Sequence, residues 1–543
     1  MSEAPEKAPS RTGNLITPLE DPRDQVSVRK KKKRSYAPLK IASSKAYLAL
    51  VILTLAVFAP IFGSDVLWSD YDLTQRSAYE AMEHWTDAWQ VKAIRNDDPI
   101  TLTSYFLEQS LPFPTAIVHR AINLLLHLIA AILLLKNLEA LKVPAAFSAT
   151  LVFALHPAVV QTIFWAGYRT EIVGLILILS ALKYGILNRG STDYMKMLGL
   201  SALACLIHPL AVTIPLILCL TIIYQEKALR LHLFNRVLPL LCIALFIGVW
   251  TQVGDSTDNS EKITETVVFL NHAGQNMYFF IEQTFLPLSV ALFHPMIGTG
   301  YKVGTDISML PFVLFIPFYI LLLIYYKRRW SRVILFGLTT YLALSLYGIS
   351  TSGAFIDGNL AYENHRQYVA LPAIIAFIVC SAGHLARILG ATGKSFWAIG
   401  LSVVLLIETM ITGSYTYAIG EPTRMWQSMT KQWPDSWVPK VALIDRVIET
   451  DSDLLNEVQR ITMLETILEA KPDLYKQRIR LVRAYVKAEQ NTNALREYGR
   501  ILRETTPDDA FLEEAAQFYD KVGLNWEAIT ARERMQTTPS NIQ

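Results

Sequence analysis

Residues 29–62 read RKKKKRSYAPLKIASSKAYLALVILTLAVFAPIF: six consecutive bases, then an uncharged apolar run from Ala46 to Phe62. A bilayer core takes about 20 apolar residues per helix. Bases beside such a run are held on the cytoplasmic face. The stretch therefore predicts a first membrane helix with the N-terminus inside. A cleaved signal peptide would need its apolar core almost at the start and a small-residue cleavage site. Residues 1–45 are polar, charged and punctuated by proline, so they read as a basic cytoplasmic tail. A nuclear-localisation reading of the same bases conflicts with the helices that follow.

The rest of the chain extends this reading. Of 543 residues, 52% are hydrophobic and 18% charged, with a net charge of +3. Ordinary globular chains carry about 25% charged residues. The balance argues for a membrane protein and against nucleic acid as a partner. Apolar runs near 46–62, 117–135, 145–164, 171–187, 197–207 continuing as 210–224, 236–253, 311–326, 332–350, 368–388 and 396–416 predict about eleven spans. The break at His208-Pro209 divides the fifth run in two, because proline removes a helical hydrogen bond. The stretch 270–291 carries Asn271, His272, Glu282 and Pro287 and reads as an interfacial or re-entrant element. Bases gather in alternate loops, among them Lys142, Arg189, Lys327, Arg328, Arg329, Arg332 and Arg387. By the positive-inside rule the N-terminus is cytoplasmic. The first loop, 63–116, and everything beyond 417 then lie outside. Cys205, Cys219, Cys242 and Cys380 all sit in apolar runs, which excludes a disulfide framework or a cysteine zinc site.

After a connector at 417–436, residues 437–543 read as a soluble helical domain. Pro472, Pro507 and Pro539 recur near the ~34-residue period of tetratricopeptide repeats. Tyr485 precedes Ala494 as Tyr519 precedes Ala528, with Gly523 at an inner turn. Stacked units of this kind form a concave binding face; a plain helical bundle is the other reading.

Chemistry-bearing residues collect in the outside segments. Asp70 and Asp72 follow the first helix within Trp68-Ser69-Asp70-Tyr71-Asp72, and Tyr79, Met82, Trp85 and Trp89 behind them suit a helix at headgroup level. A carboxylate held at the membrane surface can take a proton from an acceptor hydroxyl; two acids at a helix exit also fit a solvated turn. His156-Pro157 is followed by Gln161, Trp165, Arg169 and Glu171. A guanidinium suits the phosphate of a lipid-linked donor, and an Arg169–Glu171 anchor pair is the alternative. His119, Asn123 and His127 form a ridge on one helix, read as interhelical hydrogen-bonding residues rather than metal ligands. No metal-ligand set of plausible spacing stands out, and the need for a divalent metal stays open.

Several of these segments together resemble the transmembrane and tetratricopeptide-repeat O-mannosyltransferases and their bacterial relatives, of the GT-C class of polyprenyl-phosphate-sugar glycosyltransferases. The resemblance runs from about residue 46 to the C-terminus. It rests on Trp68–Asp72, on Pro99 to His127, on Phe153-Ala-Leu-His156-Pro157 with Trp165 and Arg169, on Tyr368-Val-Ala-Leu-Pro372, and on Arg424-Met-Trp426 through Trp433–Ser436. The chain departs from the family pattern at Tyr71, which separates the two acids. It also departs at Gln161, where the family has Glu, at His208-Pro209, where it has a Lys-Glu pair, and at Gln367-Tyr368.

The resemblance implies an all-α polytopic bundle and transfer of a sugar, mannose in the founding members, from a polyprenyl phosphate to a protein hydroxyl outside the cytoplasm. By that analogy Asp70 is the base, with Asp72 second, and Arg169, His156 and Arg366 contact the donor phosphate. His119, Asn123, His127, Gln161, Glu171 and His208 support them. No cofactor is implied beyond the lipid-linked sugar as donor substrate. The acceptor is an exported protein or glycan presented by the repeats, and the setting is a bacterial inner membrane with the repeats in the periplasm. A non-catalytic scaffold that keeps the fold and binds envelope partners is the alternative, and a transporter fits less well.

Overall fold

The computed structural model describes residues 44–63, 82–90 and 99–537, apart from 113–114, 188, 227–234, 236, 253–265, 286, 288–293, 296–309, 351–354, 357–358, 363 and 451. The basic tail, Trp68 to Asp72 with both loop acids, Tyr79 and Pro539 lie outside the described residues.

The described chain is predominantly helical. Its membrane part comprises α1 (Ser44–Phe58), α2 (Pro99–Glu108), α3 (Thr115–Ala140), α4 (Ala146–Leu155), α5 (Val160–Phe164), α6 (Arg169–Leu187), α7 (Ser191–Ile207), α8 (Ile214–Glu226), α9 (Leu238–Gln252), α10 (Thr266–Phe285), α11 (Leu310–Ile324), α12 (Arg329–Ser350), α13 (Leu371–Ile388) and α14 (Gly390–Ile419). A small antiparallel sheet joins β1 (His294–Pro295), β2 (Phe355–Ile356) and β3 (Asn359–Tyr362), with β3 in the middle.

Among the described residues, five segments are long and apolar enough to cross a membrane: Ser44–Gly63, Ile117–Ala140, Ala166–Leu187, Leu371–Ile388 and Gly390–Ile419. Among the described residues the expected number of about eleven is not reached by this measure, and two features account for part of the difference. The run at 145–164 is not one straight span: α4 and the helical segment after it meet at 53° around His156-Pro157. They would count as a sixth span if taken together. Other apolar runs form helices too short for the criterion, Pro209–Gln225 and Leu238–Val249 among them.

Both His-Pro steps break the helix in the same way. A residue before proline is pushed out of the helical region, and His156 and His208 have ψ of 133° and 123°. Proline then starts a 3-10 turn, where its missing N–H costs nothing. In each case the histidine Nδ1 accepts from the backbone N–H two residues on, Ala158 or Leu210, at 3.2 Å. That N–H belongs to a helix start and would otherwise lack a partner.

The buried core continues from the membrane helices through α15 (Pro422–Gln432), where Met425, Trp426 and Met429 are buried, into the tail. The tail consists of α16 (Val438–Glu449), α17 (Glu457–Ala470), α18 (Tyr475–Lys487), α19 (Asn491–Glu504), α20 (Asp509–Lys521) and α21 (Asn525–Thr537). A 34-residue offset carries α17, α18 and α19 onto α19, α20 and α21, with boundaries agreeing to within one residue. The turns match as well. Glu489 (φ 57°) and Gly523 (φ 81°) are left-handed, and each is followed by an N–H that bonds back, Gln490 to Tyr485 and Leu524 to Tyr519. Ala494 and Ala528, both fully buried, give the close approach expected of small residues at that offset. Helix α16 departs from the pattern, since a longer connection joins it to α17 and ends in an Asn456–Gln459 capping box.

A side chain in the left-handed region costs about 1–2 kcal/mol, and only glycine escapes it. Gly523→Ala should therefore weaken the tail by about 1 kcal/mol, whereas Glu489→Gly should not weaken it. Hydrogen exchange of residues 475–537 in the full chain reads both. Equal protection loss in the two variants would contradict the assignment of these turns.

Candidate functional site

The first residue of α6, Arg169, is fully buried. A lone guanidinium in such a place is costly, so its neighbours must neutralise it. Nε donates to Asn123 Oδ1 at 2.7 Å and Nη1 to Ser104 Oγ at 2.6 Å. Glu108 takes one N–H from each terminal nitrogen, Nη1 to Oε1 and Nη2 to Oε2, the latter at 3.2 Å. Nη2 also donates to the His119 carbonyl at 3.2 Å. These contacts use all five guanidinium N–H groups. The charge also lies over the Tyr105 ring, 4.5 Å from its centroid, and the Tyr105 hydroxyl donates to the Ala166 carbonyl.

The Arg169–Glu171 anchor pair, the alternative read from the sequence, does not form. Residues two apart on a helix point to different faces, so Arg169 turns to Glu108 while Glu171 Oε2 accepts from His208 Nε2 at 3.0 Å. The His208 ring packs against Gly174, and a Cβ added there would stand 2.7 Å from it. Glycine at 174 is thus what lets α6 hold that ring.

The α3 ridge bonds to three different segments. His119 Nδ1 bonds to Glu108 Oε2. Asn123 donates its amide N–H groups to the carbonyls of Ile163 and Trp165, at 3.2 and 3.1 Å, which closes the break between α5 and α6. His127 Nε2 donates to the Ala154 carbonyl at 3.2 Å, so its Nδ1 accepts from the Tyr368 hydroxyl at 2.8 Å. Beyond the ridge, His156 Nε2 donates to the Thr284 carbonyl at 3.1 Å. Gln161 Oε1 accepts from the His365 N–H at 3.0 Å, and the His365 ring stacks on Tyr168 at 3.6 Å. Arg366 is half-buried in the same 3-10 turn, Asn364–Gln367, and Gly348 of α12 packs closely against its carbonyl.

These contacts fall at one end of the bundle: the starts of α3, α6 and α13 and the end of α4. Thr412 of α14 donates to the Leu155 carbonyl there at 2.6 Å, close to where α14 leads into α15 and the tail. Helix α2, from the segment between α1 and α3, is pinned to that same end by Glu108 and Ser104. Trp89 lies over it with an Nε1 donation to Thr103 at 3.1 Å. Trp85 to Trp89 form a 3-10 turn with both rings exposed, rather than continuing one amphipathic helix.

Sequence reasoning does not single out three contributors to this net: Ser104, Tyr105 and Glu108. The signal on the chain is the i, i+4 spacing of Ser104 and Glu108 on a helix of otherwise apolar character. Arg120, also buried, lies over the Phe164 ring at 4.6 Å. Among the described residues no three His, Cys, Asp or Glu side chains form a group that could hold a metal.

Burial alone would raise the Glu108 carboxyl, but the hydrogen bond from His119 and the charge of Arg169 outweigh it and hold the group below the usual carboxylate range. A depressed folded pKa contributes stability above the unfolded value, and this is lost as pH falls through the folded one. Glu108→Gln should destabilise the protein by about 3–5 kcal/mol by stranding a buried charge. Glu108→Gln with Arg169→Gln should recover part of the loss. Thermal unfolding in detergent checks both, and the single variant should show a smaller loss of stability on acidification below pH ~4 than the parent does. Gly174→Ala should likewise lower the midpoint by forcing the His208 ring away from Glu171. The chain matches no protein-family model, no curated protein and no solved structure.

Proposed function

We propose that the protein is a membrane glycosyltransferase that moves a sugar from a polyprenyl-phosphate donor to a hydroxyl of an exported protein or glycan. The observation that carries this reading is the shared location of the first-loop helix α2 and the C-terminal helices at one end of the bundle. A base on the loop and an acceptor held by the tail would then meet beside a donor whose lipid stays in the bilayer. Asp70 is assigned as the base, with Asp72 second. It takes the proton of the acceptor hydroxyl as the oxygen attacks the anomeric carbon, and the phosphate leaves with the electrons of the broken bond. Stabilising that leaving phosphate more than the bound donor is what would accelerate the step. Arg366, which the resemblance to the glycosyltransferases also implies, is the cation assigned to it. The 34-residue register of α17–α21 supports a tetratricopeptide-like platform for the acceptor. On this reading the membrane is the bacterial inner membrane and the tail is periplasmic.

A second reading has one specific observation in its favour. Arg169 has no N–H left for a phosphate, as befits a non-catalytic scaffold that keeps the fold and binds envelope partners through its tail.

Mass spectrometry of exported proteins and glycans, with and without the gene, separates the two. The enzyme reading expects a hexose difference that vanishes with Asp70→Asn at unchanged protein level. If Asp70→Asn is silent and removal of residues 437–543 alone causes the defect, the scaffold reading replaces it.

A further inference from the structure

At the end of the bundle opposite the polar net, helices α3, α6, α8, α12 and α13 surround an apolar cavity of about 750 Å³. Its walls include Leu138, Ile178, Leu182, Ile217, Ala376 and Phe377. It runs into a second recess of about 720 Å³, and the two share Tyr224 and Arg329. The recess is of another character, with Lys142, Gln225, Arg329 and Arg332 around it. Each volume lies within the range of about 300–1,000 Å³ typical of small-molecule sites. An apolar hollow between membrane helices with a cationic mouth matches the two ends of a lipid.

We propose that the pair of recesses is a binding site for an anionic phospholipid of the leaflet at that end, its acyl chain in the apolar cavity and its phosphate on Arg329 and Arg332. Two features support this occupant. The mouth carries Arg328, Arg329, Arg332 and Lys142, and among the described residues no carboxylate forms an ion pair with any of them. Arg332 is steadied by an Nη1 donation to the Lys327 carbonyl at 2.7 Å, which leaves Nε and Nη2 for a phosphate.

The geometry of the mouth is fixed by the turn after α3. Lys142 and Ala145 both adopt left-handed φ, 55° and 56°, which turns the chain sharply around Val143-Pro144 at the cavity edge. Trp330, half-exposed beside Arg329, is placed as an interfacial aromatic would be.

Native mass spectrometry of the full chain, delipidated and then titrated with phosphatidylglycerol or phosphatidylcholine of the same acyl chains, tests the site. Phosphatidylglycerol should be retained in preference to phosphatidylcholine. Arg329→Gln with Arg332→Gln, which removes both charge-assisted contacts, should reduce that retention at least about tenfold, while the thermal midpoint stays close to that of the parent. Thr340→Leu, which narrows the cavity, should lower retention of both lipids. Equal retention of the two lipids, unchanged phosphatidylglycerol binding in the double variant, or preferential retention of polyprenyl phosphate would each overturn the proposal. The readout is binding alone, so it stands or falls separately from any transferase activity.

Discussion

A buried guanidinium organises one end of this protein. Arg169 begins α6 inside the bundle, where an unpaired charge would cost several kcal/mol. Its partners come from two other helices: Ser104, Glu108 and the Tyr105 ring of α2, and Asn123 with the His119 carbonyl of α3. The first-loop helix cannot leave without stranding the charge, and α6 cannot start there without the loop. Loop and bundle are thus held together by the cost of separating them.

The two His-Pro breaks show the same economy. In both, Nδ1 caps the backbone and Nε2 carries the proton to a second partner, the Thr284 carbonyl for His156 and Glu171 for His208. A ring held at both nitrogens serves structure. Residues that look like chemistry in the sequence are here committed to shaping helix ends, and the chemistry proposed above rests on others.

Much of the fold is legible in the chain. Apolar runs locate the helices, His208-Pro209 announces its break, and the spacing of Tyr485, Ala494, Tyr519 and Ala528 discloses the register of the tail. The ridge on α3 reads as hydrogen-bonding, and its three members bond across to other segments. The rest depends on distant partners. Glu108 and Arg169 are 61 positions apart, and no local pattern joins them. The bend at His156 escapes a hydropathy reading because 145–164 is apolar almost throughout, and composition does not register direction. The lipid-sized cavity is equally silent in sequence, since each of its five helices contributes residues that read as ordinary core.

Helix α14 is 30 residues long, about 45 Å at 1.5 Å per residue, against a hydrocarbon core of about 30 Å. At ordinary tilts some of it projects beyond the bilayer, and it passes almost directly into α15 and the tail. A rod that is longer than its socket behaves as a lever. A change in its inclination would sweep the far helices sideways, coupling bilayer thickness to the position of the arm.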